Sequence, residues 1–515
     1  MGNKSRTQYS AYNTTIAMIS RIFAILMGYV VRVIFTHTLS ESYVGINGLF
    51  TDILNVLSLS EMGIETAIAF ALYKPIAEDD IESQKSIMNL YKWFYRGVAA
   101  FVAIAGLLVI PFMDVLIKNK PDIDNLTYIY LLFLFNTVIS YLFAYKRTLI
   151  EAHQLMYIST LARTLSWIIQ DIVQIIVLLS TKNFILFLYV YILCTFLSNL
   201  YISKKADKMY PYIKDKNILP LNKNTRKTIT KNIRAMMMHK IGDVMVNNTD
   251  NLLLSSIVGI RSVGCYSNYV LIIGSIQQIL NEAFAGITAS VGNLGATTDS
   301  SRVKKIFEAS FFLNNWMYGL SAICLFELIN PFVELSFGSQ FVFPLEITTV
   351  LCINFFIKGM LQSCLVFRNS LGLFWYDRYK SIAEAAINLV VSITLAFKFG
   401  AIGVFIGTLV SAVTTSMWVE PFVLYKHHFK ETPLSYYKKL ILYCTETVFI
   451  WVATHYISDT FITEAAIHNI FALIAVKFVF CFIFSNMLYF IINFRSKEFK
   501  FLEDKLKRLL KERGI

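Results

Sequence analysis

The chain has 515 residues, of which 56% are hydrophobic and 15% aromatic, and its mean hydropathy is +0.56. Apolar runs of about 20 residues, long enough to cross a hydrocarbon core of roughly 30 Å, recur from end to end. This composition excludes a soluble globular enzyme and indicates an all-α, polytopic membrane protein. The seven cysteines lie in or beside apolar runs without metal-ligand spacing, which predicts neither disulfides nor zinc.

Fourteen membrane spans are predicted from the apolar runs. They are 15–36, 43–72, 91–115, 126–145, 156–180, 183–202, 233–257, 263–288, 306–332, 345–367, 376–397, 401–424, 440–457 and 466–494. With the N-terminus inside, 35 lysines and arginines fall on inside segments and five fall on outside segments. The 35 include four at the inner ends of spans: Lys92, Arg234, Arg378 and Lys380. This asymmetry places both termini in the cytoplasm, because cytoplasmic loops of membrane proteins are enriched in cations. The net charge of +13 is therefore a topology signal, and we expect no nucleic-acid partner.

Two homologous halves are indicated by an internal repeat with an offset of 219 residues. The identical pairs are Asn13 and Asn232, Met18 and Met237, Ile22 and Ile241, Val44 and Val263, Gly45 and Gly264, and Ile53 and Ile272. In both halves a Val-Gly pair separates two apolar helices, and we expect residues 260–264 to form a short turn. The repeat predicts two pseudo-symmetric lobes of six helices each, followed by two C-terminal helices.

The predicted organisation has five parts. They are an N-terminal lobe at 1–202, a basic linker at 203–232, a C-terminal lobe at 233–424, two further spans at 425–494 and a cytoplasmic tail at 495–515. The linker carries Pro211 and Pro220 and is expected to lie against anionic headgroups. The tail alternates leucines and cations with helical spacing, which is typical of an amphipathic helix on a membrane surface.

Apart from the four at the inner ends of spans, seven lysines and arginines fall inside the predicted spans, where each is costly unless it faces a cavity or a partner. Arg21 and Arg32 are eleven residues apart on the first helix, and therefore share a face about 16 Å apart along its axis. Arg96 lies near a span end and can reach the interface. Further polar stripes are predicted on spans five, seven, eight and eleven, and Lys358 lies near the middle of span ten. Members of the stripes include Arg163 and Asp171; Lys240, Asp243, Asn247, Asp250 and Asn251; Gln278 and Glu282; and Glu384.

We expect these stripes to line a water-filled central cavity, although internal ion pairs and helix-to-helix hydrogen bonds would use the same residue types. Excess cation in a cavity favours an anionic substrate, and the planar guanidinium matches two phosphate oxygens at once. The predicted substrate-binding residues are Arg21, Arg32, Arg163, Lys240 and Lys358. Six acids could hold a coupling proton or sodium ion, or simply neutralise the cations: Asp52, Asp171, Asp243, Asp250, Glu282 and Glu384. Asn247 and Gln278 complete the predicted lining, and no other cofactor is expected.

Three segments resemble the bacterial polysaccharide or O-antigen flippases, which belong to one superfamily with the multidrug (MATE) exporters and the lipid II flippases. They are LSESYVGINGLFTDILNVLSLSEMGI at 39–64, TDNLLLSSIVGIRSVGCYSNY at 249–269 and FRNSLGLFWYDRYKSIAEAAINLVVSITLAFKFGAIGVFIGTLVS at 367–411. The resemblance implies a twelve-helix core of two six-helix lobes, often with two extra helices. It also implies alternating-access transport of an undecaprenyl-diphosphate-linked oligosaccharide to the outer leaflet of the bacterial cytoplasmic membrane.

Within this resemblance, Arg21 matches the position of a first-helix arginine used in the lipid II branch, and cationic cavity residues would engage the diphosphate. The implied partners are the lipid-linked oligosaccharide and membrane lipids. A polysaccharide polymerase and assembly proteins are further candidate partners. A multidrug cation antiporter or a lipid II flippase of the same superfamily remains an alternative. A membrane polymerase fits less well, since no segment outside the membrane could hold a catalytic domain.

Overall fold

The computed structural model of the chain describes residues 6–58, 64–118, 121, 123–153, 155–215, 217–221, 227, 229–230, 248–297, 300–371, 373, 376–377, 379–462, 467 and 469–512. Every regular element in these ranges is helical. The chain divides into two compact units, Met1–Gly264 and Cys265–Ile515. The lobes at 1–202 and 233–424 rest on the sequence repeat and stay a prediction.

The helices are numbered in chain order. Those that begin in the first unit are α1 (Arg6–Thr38), α2 (Glu41–Leu57), α3 (Ile64–Ala77), α4 (Ile81–Val109), α5 (Met113–Leu116), α6 (Leu126–Ala152), α7 (Met156–Thr181), α8 (Phe184–Met209) and α9 (Ile260–Thr297). Those of the second unit are α10 (Ser300–Phe337), α11 (Leu345–Ser370), α12 (Lys380–Phe399), α13 (Ala401–Thr414), α14 (Ser416–Leu424), α15 (Leu434–Phe461), α16 (Ile470–Asn493) and α17 (Lys497–Glu512).

The helix starts reproduce the sequence repeat. The first residues of α2, α4 and α6 each lie 219 residues before the first residues of α9, α10 and α11, respectively. Three coincident starts extend the repeat well beyond the six identical residue pairs that suggested it. Three corresponding helix starts are therefore repeated along the chain.

Tight turns join α7 to α8 in the first half and α12 to α13 in the second. Lys182 ends α7 with a φ of 51°, and the side chain of Asn183 caps α8 by accepting hydrogen bonds from the amides of Ile185 and Leu186. In the second half Gly400 alone separates α12 from α13, with a φ of 66°. A left-handed residue ends a helix within one position, so each pair of helices runs antiparallel with almost no loop.

In the first unit α6 lies in the middle and contacts α2, α3, α4, α7 and α8, while α1 packs mainly against α7. The ring of Phe50 on α2 meets the rings of Tyr130 and Phe133 on α6 edge-on, with centroid distances of 5.1 and 5.8 Å. Gly106 on α4 leaves room for Leu134 of α6, because a Cβ there would lie 2.4 Å from a leucine methyl carbon. Aromatic packing and one small residue thus bring α2, α4 and α6 together.

In the second unit α10 is central and contacts α11, α15, α16 and α17. Its Phe311 ring stacks on Tyr436 of α15 at a centroid distance of 4.6 Å, and its Tyr318 ring covers Gly359 of α11. The indole of Trp316 donates a 2.9 Å hydrogen bond to Asn486 on α16. Two of these contacts link α15 and α16, the last two long helices, to α10.

Eleven helical segments of the described chain are long and apolar enough to cross a membrane. They are 19–38, 81–116, 126–152, 156–181, 184–209, 300–337, 345–370, 380–399, 401–429, 434–461 and 470–493. Their outward faces are apolar; Leu108 and Leu179, for example, are more than 60% exposed. Such faces suit lipid and confirm a polytopic helical membrane protein. Predicted span seven falls largely outside the described residues, and the count of fourteen stays a prediction.

The expected turn at residues 260–264 is wrong by a few positions. The break is at Gly259, which has a φ of 139°, a backbone conformation that glycine adopts readily and other residues adopt only at a cost. The next helix, α9, already begins at Ile260. A short π-helical turn, Leu254–Val258, precedes the break. The Val-Gly pair at 263–264 is therefore helical.

Candidate functional site

Three arginines and one aspartate lie on two helices of the first unit that pack together, α1 and α7. We call this set, Arg21, Arg32, Arg163 and Asp171, the arginine face. Arg21 is exposed, whereas Arg32, Arg163 and Asp171 are half-buried. Since α1 packs against α7, two of the predicted stripes belong to adjacent helices. The face carries three positive charges and one negative charge, a balance that suits an anion.

Aromatic and amide groups hold part of this face in place. The guanidinium of Arg163 lies 5.7 Å from the centroid of the Trp167 ring, within the range of a cation–π contact. Gln174, which is 2% exposed, donates a 3.2 Å hydrogen bond to the carbonyl of Phe187 on α8. Gln174 thus joins two helices, so only part of the predicted stripe on α7 is available to a ligand.

A second group of predicted residues meets where α2 contacts the segment 248–264 within the first unit. We call this contact the α2 seam. The side-chain amide of Asn251 donates a hydrogen bond to the Asp52 carboxylate, and the neighbouring Asp250 is buried. The Ser255 hydroxyl donates a 2.6 Å hydrogen bond to the carbonyl of Leu116. Two predicted acids, Asp52 and Asp250, are therefore brought to one seam.

Two repeat-related glycines allow the seam to close. A Cβ on Gly45 would lie 2.3 Å from the carbonyl oxygen of Ile260, and a Cβ on Gly264 would lie 2.9 Å from the carbonyl oxygen of Glu41. The Arg261 guanidinium also lies 3.2 Å from the Glu41 carboxylate. The first turns of α2 and α9 thus cross backbone to backbone, which only small side chains permit.

In the second unit, Glu384 belongs to a cluster of buried charges that includes residues missed by the sequence analysis. We call Arg368, Asp377, Lys380, Glu384 and Glu420 the ion cluster. The Lys380 ammonium lies 2.6 Å from Glu420 and 3.6 Å from Glu384, and Arg368 pairs with Asp377. The Ser416 hydroxyl donates a 2.7 Å hydrogen bond to Glu384. An acid inside a predicted span, Glu420, was the sequence signal for this cluster.

The remaining predicted residues divide into those that the structure describes and those that it does not. Lys358 is half-buried on α11, and Gln278 is exposed on α9. Lys240, Asp243 and Asn247 lie outside the described residues, as does the side chain of Glu282. In the part of the chain that the structure describes, no group of three His, Cys, Asp or Glu side chains is placed to hold a metal ion.

Comparisons with known proteins bear on family and fold. The model of a family described as "Polysaccharide biosynthesis protein" matches residues 10–287, more than half of the chain. A search of curated proteins returns no match to the sequence. Several solved membrane transporters, however, share the fold.

The structure of the lipid II flippase MurJ in an inward closed conformation is 14% identical, with a TM-score of 0.61 over 93% of this chain and 98% of its own. A mutant of the MATE transporter VcmN from Vibrio cholerae is 15% identical, with a TM-score of 0.54 over 83% and 99%. A multidrug resistance MATE family transporter of the MOP superfamily, in an inward-facing conformation, is 14% identical, with a TM-score of 0.56 over 79% and 96%. At these identities the likeness establishes the fold, and it confirms the predicted MATE-like architecture.

Proposed function

Because the chain belongs to the polysaccharide biosynthesis protein family, we propose that it is a flippase for a lipid-linked oligosaccharide. The cargo would be an undecaprenyl-diphosphate-linked repeat unit that moves from the inner to the outer leaflet of the bacterial cytoplasmic membrane. The protein would work by alternating access and without chemical catalysis. The observation that carries the proposal is an exposed arginine, Arg21, within a membrane-spanning helix.

A guanidinium exposed on such a helix requires an anionic or aqueous surrounding, because a charge in hydrocarbon is costly. Arg21 lies on the helix that packs against α7, which carries Arg163. Two neighbouring helices therefore present guanidinium groups, and each guanidinium can bind two oxygens of a phosphate in its plane. A diphosphate offers enough oxygens for more than one such contact. This chemistry favours an anionic cargo over the cationic drugs of a multidrug antiporter.

The α2 seam is a suitable moving part for alternating access. Its closure rests on backbone contacts at Gly45 and Gly264, the Glu41–Arg261 ion pair and the Asp52–Asn251 hydrogen bond. The exposed Glu41–Arg261 pair contributes about 0.2–1 kcal/mol, and the hydrogen bond to the Asp52 carboxylate contributes about 1.5–3 kcal/mol. The seam can therefore open at a cost of a few kcal/mol. Opening would be coupled to a proton or sodium ion, for which Asp52 and Asp250, the two predicted acids of the seam, are the candidates.

The topology proposed with this function has both termini in the cytoplasm. Single cysteines placed at Lys398 and Lys204, both exposed, test it in sealed cells with an impermeant thiol reagent. We expect the cysteine at 398 to react above the level of the parent chain and the cysteine at 204 not to react. Labelling at 204 would overturn the orientation.

The experiment that tests the function is flipping of a lipid-linked oligosaccharide in reconstituted vesicles at matched protein levels. Arg21→Ala should lose nearly all activity, because a charge-assisted contact of about 1.5–3 kcal/mol corresponds to roughly a ten- to hundredfold change. Arg21→Lys should retain part of it, since lysine supplies a point charge without the planar fork. Arg96→Ala is the matched control, because Arg96 is exposed and its guanidinium lies 5.2 Å from the Trp93 ring.

If Arg21→Ala flips the lipid at the wild-type rate, this arginine does not bind the diphosphate. Transport of a lipophilic cation by the wild-type protein, with no flipping of the oligosaccharide lipid, would favour the multidrug antiporter instead. Dissipating the pH gradient and the sodium gradient separately, in the same vesicles, identifies the coupling ion. A rate that is unchanged by both treatments would contradict ion coupling.

A further inference from the structure

A cavity of about 390 Å³ opens in the first unit, away from the arginine face. Its wall is formed by the first turns of α4, the C-terminal ends of α6 and α8, and the linker that follows α8. Four lysines and two aspartates line it: Lys85, Lys92, Lys146, Lys214, Asp207 and Asp215. We call it the lysine pocket. Its charged lining carries a net charge of +2, so it attracts anions.

Hydrogen bonds and an ion pair hold the linker against α4, so the lysine pocket is a built feature of the unit. The Tyr212 hydroxyl donates a hydrogen bond to Gln84, and burial raises the pKa of Tyr212 to about 12, so this donor keeps its proton at neutral pH. The Ser86 hydroxyl donates a 2.6 Å hydrogen bond to the carbonyl of Leu219. The Lys85 ammonium lies 3.2 Å from Asp215.

The four lysines differ in their partners. Lys85 and Lys146 are paired with carboxylates, the latter at 2.7 Å from Asp207, and Lys214 lies 3.8 Å from the same aspartate. Lys92 is half-buried, and within the described residues its ammonium has no carboxylate within ion-pair distance. A half-buried ammonium beside three further lysines is the group that an incoming anion would neutralise first.

An exposed tryptophan beside Lys92 favours a position of the lysine pocket at the level of the lipid headgroups. Trp93, the residue after Lys92, is 61% exposed, and Leu219 on the linker is 63% exposed. Exposed tryptophans mark the boundary between hydrocarbon and headgroups. The exposed leucine of the linker would then enter the same boundary, next to the pocket.

We propose that the lysine pocket binds a phosphate-bearing anion at the cytoplasmic surface of the membrane, with Lys92 as the principal contact. The anion is either the headgroup of an acidic phospholipid or a soluble phosphate, since both offer the same oxygens to the ammonium groups. This site is separate from the arginine face and does not depend on the flippase proposal. Its occupancy would fasten the linker to α4 and to the ends of α6 and α8.

Binding is tested on the full-length purified protein in nanodiscs of phosphatidylcholine, to which phosphatidylglycerol is added in steps at constant ionic strength. A spin or fluorescence label on the added lipid reports its dissociation from the protein. A parallel titration uses inorganic phosphate without phosphatidylglycerol and follows the unfolding temperature. Dependence on phosphatidylglycerol alone identifies a lipid site, and dependence on inorganic phosphate identifies a soluble ligand.

Lys92→Gln should weaken binding about fivefold, since a cation near an anionic surface contributes about 1 kcal/mol. Lys92→Arg should restore it. The matched control is Lys204→Gln, which removes the same charge from an exposed position on α8 that does not line the pocket.

Asp215→Asn is the reciprocal variant, because it removes a carboxylate that competes for Lys85 and is itself 61% exposed. We expect tighter binding by a similar factor, a result that loss of folding cannot imitate. Equal binding by Lys92→Gln and Lys204→Gln, together with no gain in Asp215→Asn, would overturn the proposal. Absence of binding for both anions in the wild-type protein would do so as well.

Discussion

The arginine face on α1 and α7 and the ion cluster on α11 to α14 place charges of the same kind in opposite surroundings. In the ion cluster, the side chains of Lys380 and Glu420 are 9% and 1% exposed and lie within 2.6 Å of each other. On the arginine face, by contrast, Arg21 is exposed on a membrane-spanning helix. The difference teaches that its neighbours decide whether a cation in a membrane helix is neutralised inside the protein, as Lys380 is, or exposed, as Arg21 is.

Physical chemistry explains why the two regions should respond differently to substitution. Removing one member of a buried pair leaves a charge without compensation, so the loss appears in stability. Removing an exposed cation leaves no buried charge behind, so under the proposed function the loss should appear in transport of the anionic cargo. Lys380→Met and Arg163→Gln test this distinction, and variants at Gly45 and at the Glu41–Arg261 pair add the α2 seam as a third region. They are taken in order of the free energy expected.

The largest effect is expected for Lys380→Met in the ion cluster. It leaves the buried Glu420 carboxylate facing Glu384 without the ammonium between them, and we expect a loss of about 3–5 kcal/mol. Unfolding of the purified protein in detergent measures it. Lys398→Met on the same helix, at an exposed position, is the control. Equal unfolding temperatures for Lys380→Met and Lys398→Met would show that the ion cluster does not stabilise the fold.

A smaller loss, about 1–3 kcal/mol, is expected for Gly45→Ala in the α2 seam, because the added methyl group would overlap the carbonyl oxygen of Ile260. The oxygen belongs to the backbone and cannot move as a side chain can. Gly97→Ala is the control, since a Cβ there has no neighbour within 4 Å. Flipping and unfolding are both measured. If Gly45→Ala behaves as Gly97→Ala does, the seam is not closed in the functional protein.

For Arg163→Gln on the arginine face we expect roughly tenfold slower flipping, equivalent to about 1.4 kcal/mol, and a loss of stability of only about 0.5–1 kcal/mol from the missing cation–π contact. The variant removes the guanidinium over Trp167 and leaves a shorter, uncharged polar side chain. The comparison between the two regions fails if stability falls as it does in Lys380→Met while flipping per folded molecule stays constant.

The smallest effect concerns the ion pair between Glu41 and Arg261. Arg261 is 65% exposed, so solvent screening limits the coupling to about 0.2–1 kcal/mol. A double-mutant cycle of Glu41→Gln and Arg261→Gln, in which the free energy of unfolding is measured for each variant, gives the coupling energy of the pair. A coupling of several kcal/mol would mean that the pair is desolvated and acts as a lock on the seam.

Much of the architecture followed from the sequence. Helical membrane spans have to satisfy their own backbone hydrogen bonds, so hydropathy alone indicates them, and the duplicated order of helices was visible as an offset of 219 residues. Eleven predicted spans correspond to membrane-length helices of the described chain. The turn before α9 was misplaced because Val263 and Gly264 were taken as its signal, whereas the left-handed residue is Gly259.

The candidate sites depended more strongly on tertiary structure. Helical spacing correctly put Arg163 and Asp171 on one helix, but it did not distinguish them from Gln174, which is used to join α7 to α8. Glu384 was predicted as a cavity residue and lies in the ion cluster beside Lys380 and Glu420. Periodicity describes one helix at a time and contains no information on which helix lies opposite.

The sequence by itself determined that this chain is a duplicated helical membrane protein, because hydrophobic length and repeated order are properties of the chain. Only the tertiary structure decided which charges are neutralised. The lysine pocket is the clearest case, since its lining comes from α4, α6, α8 and the linker, segments far apart in sequence. Electrostatic energy depends on the distance between charges and on their burial, and both are set by packing between helices.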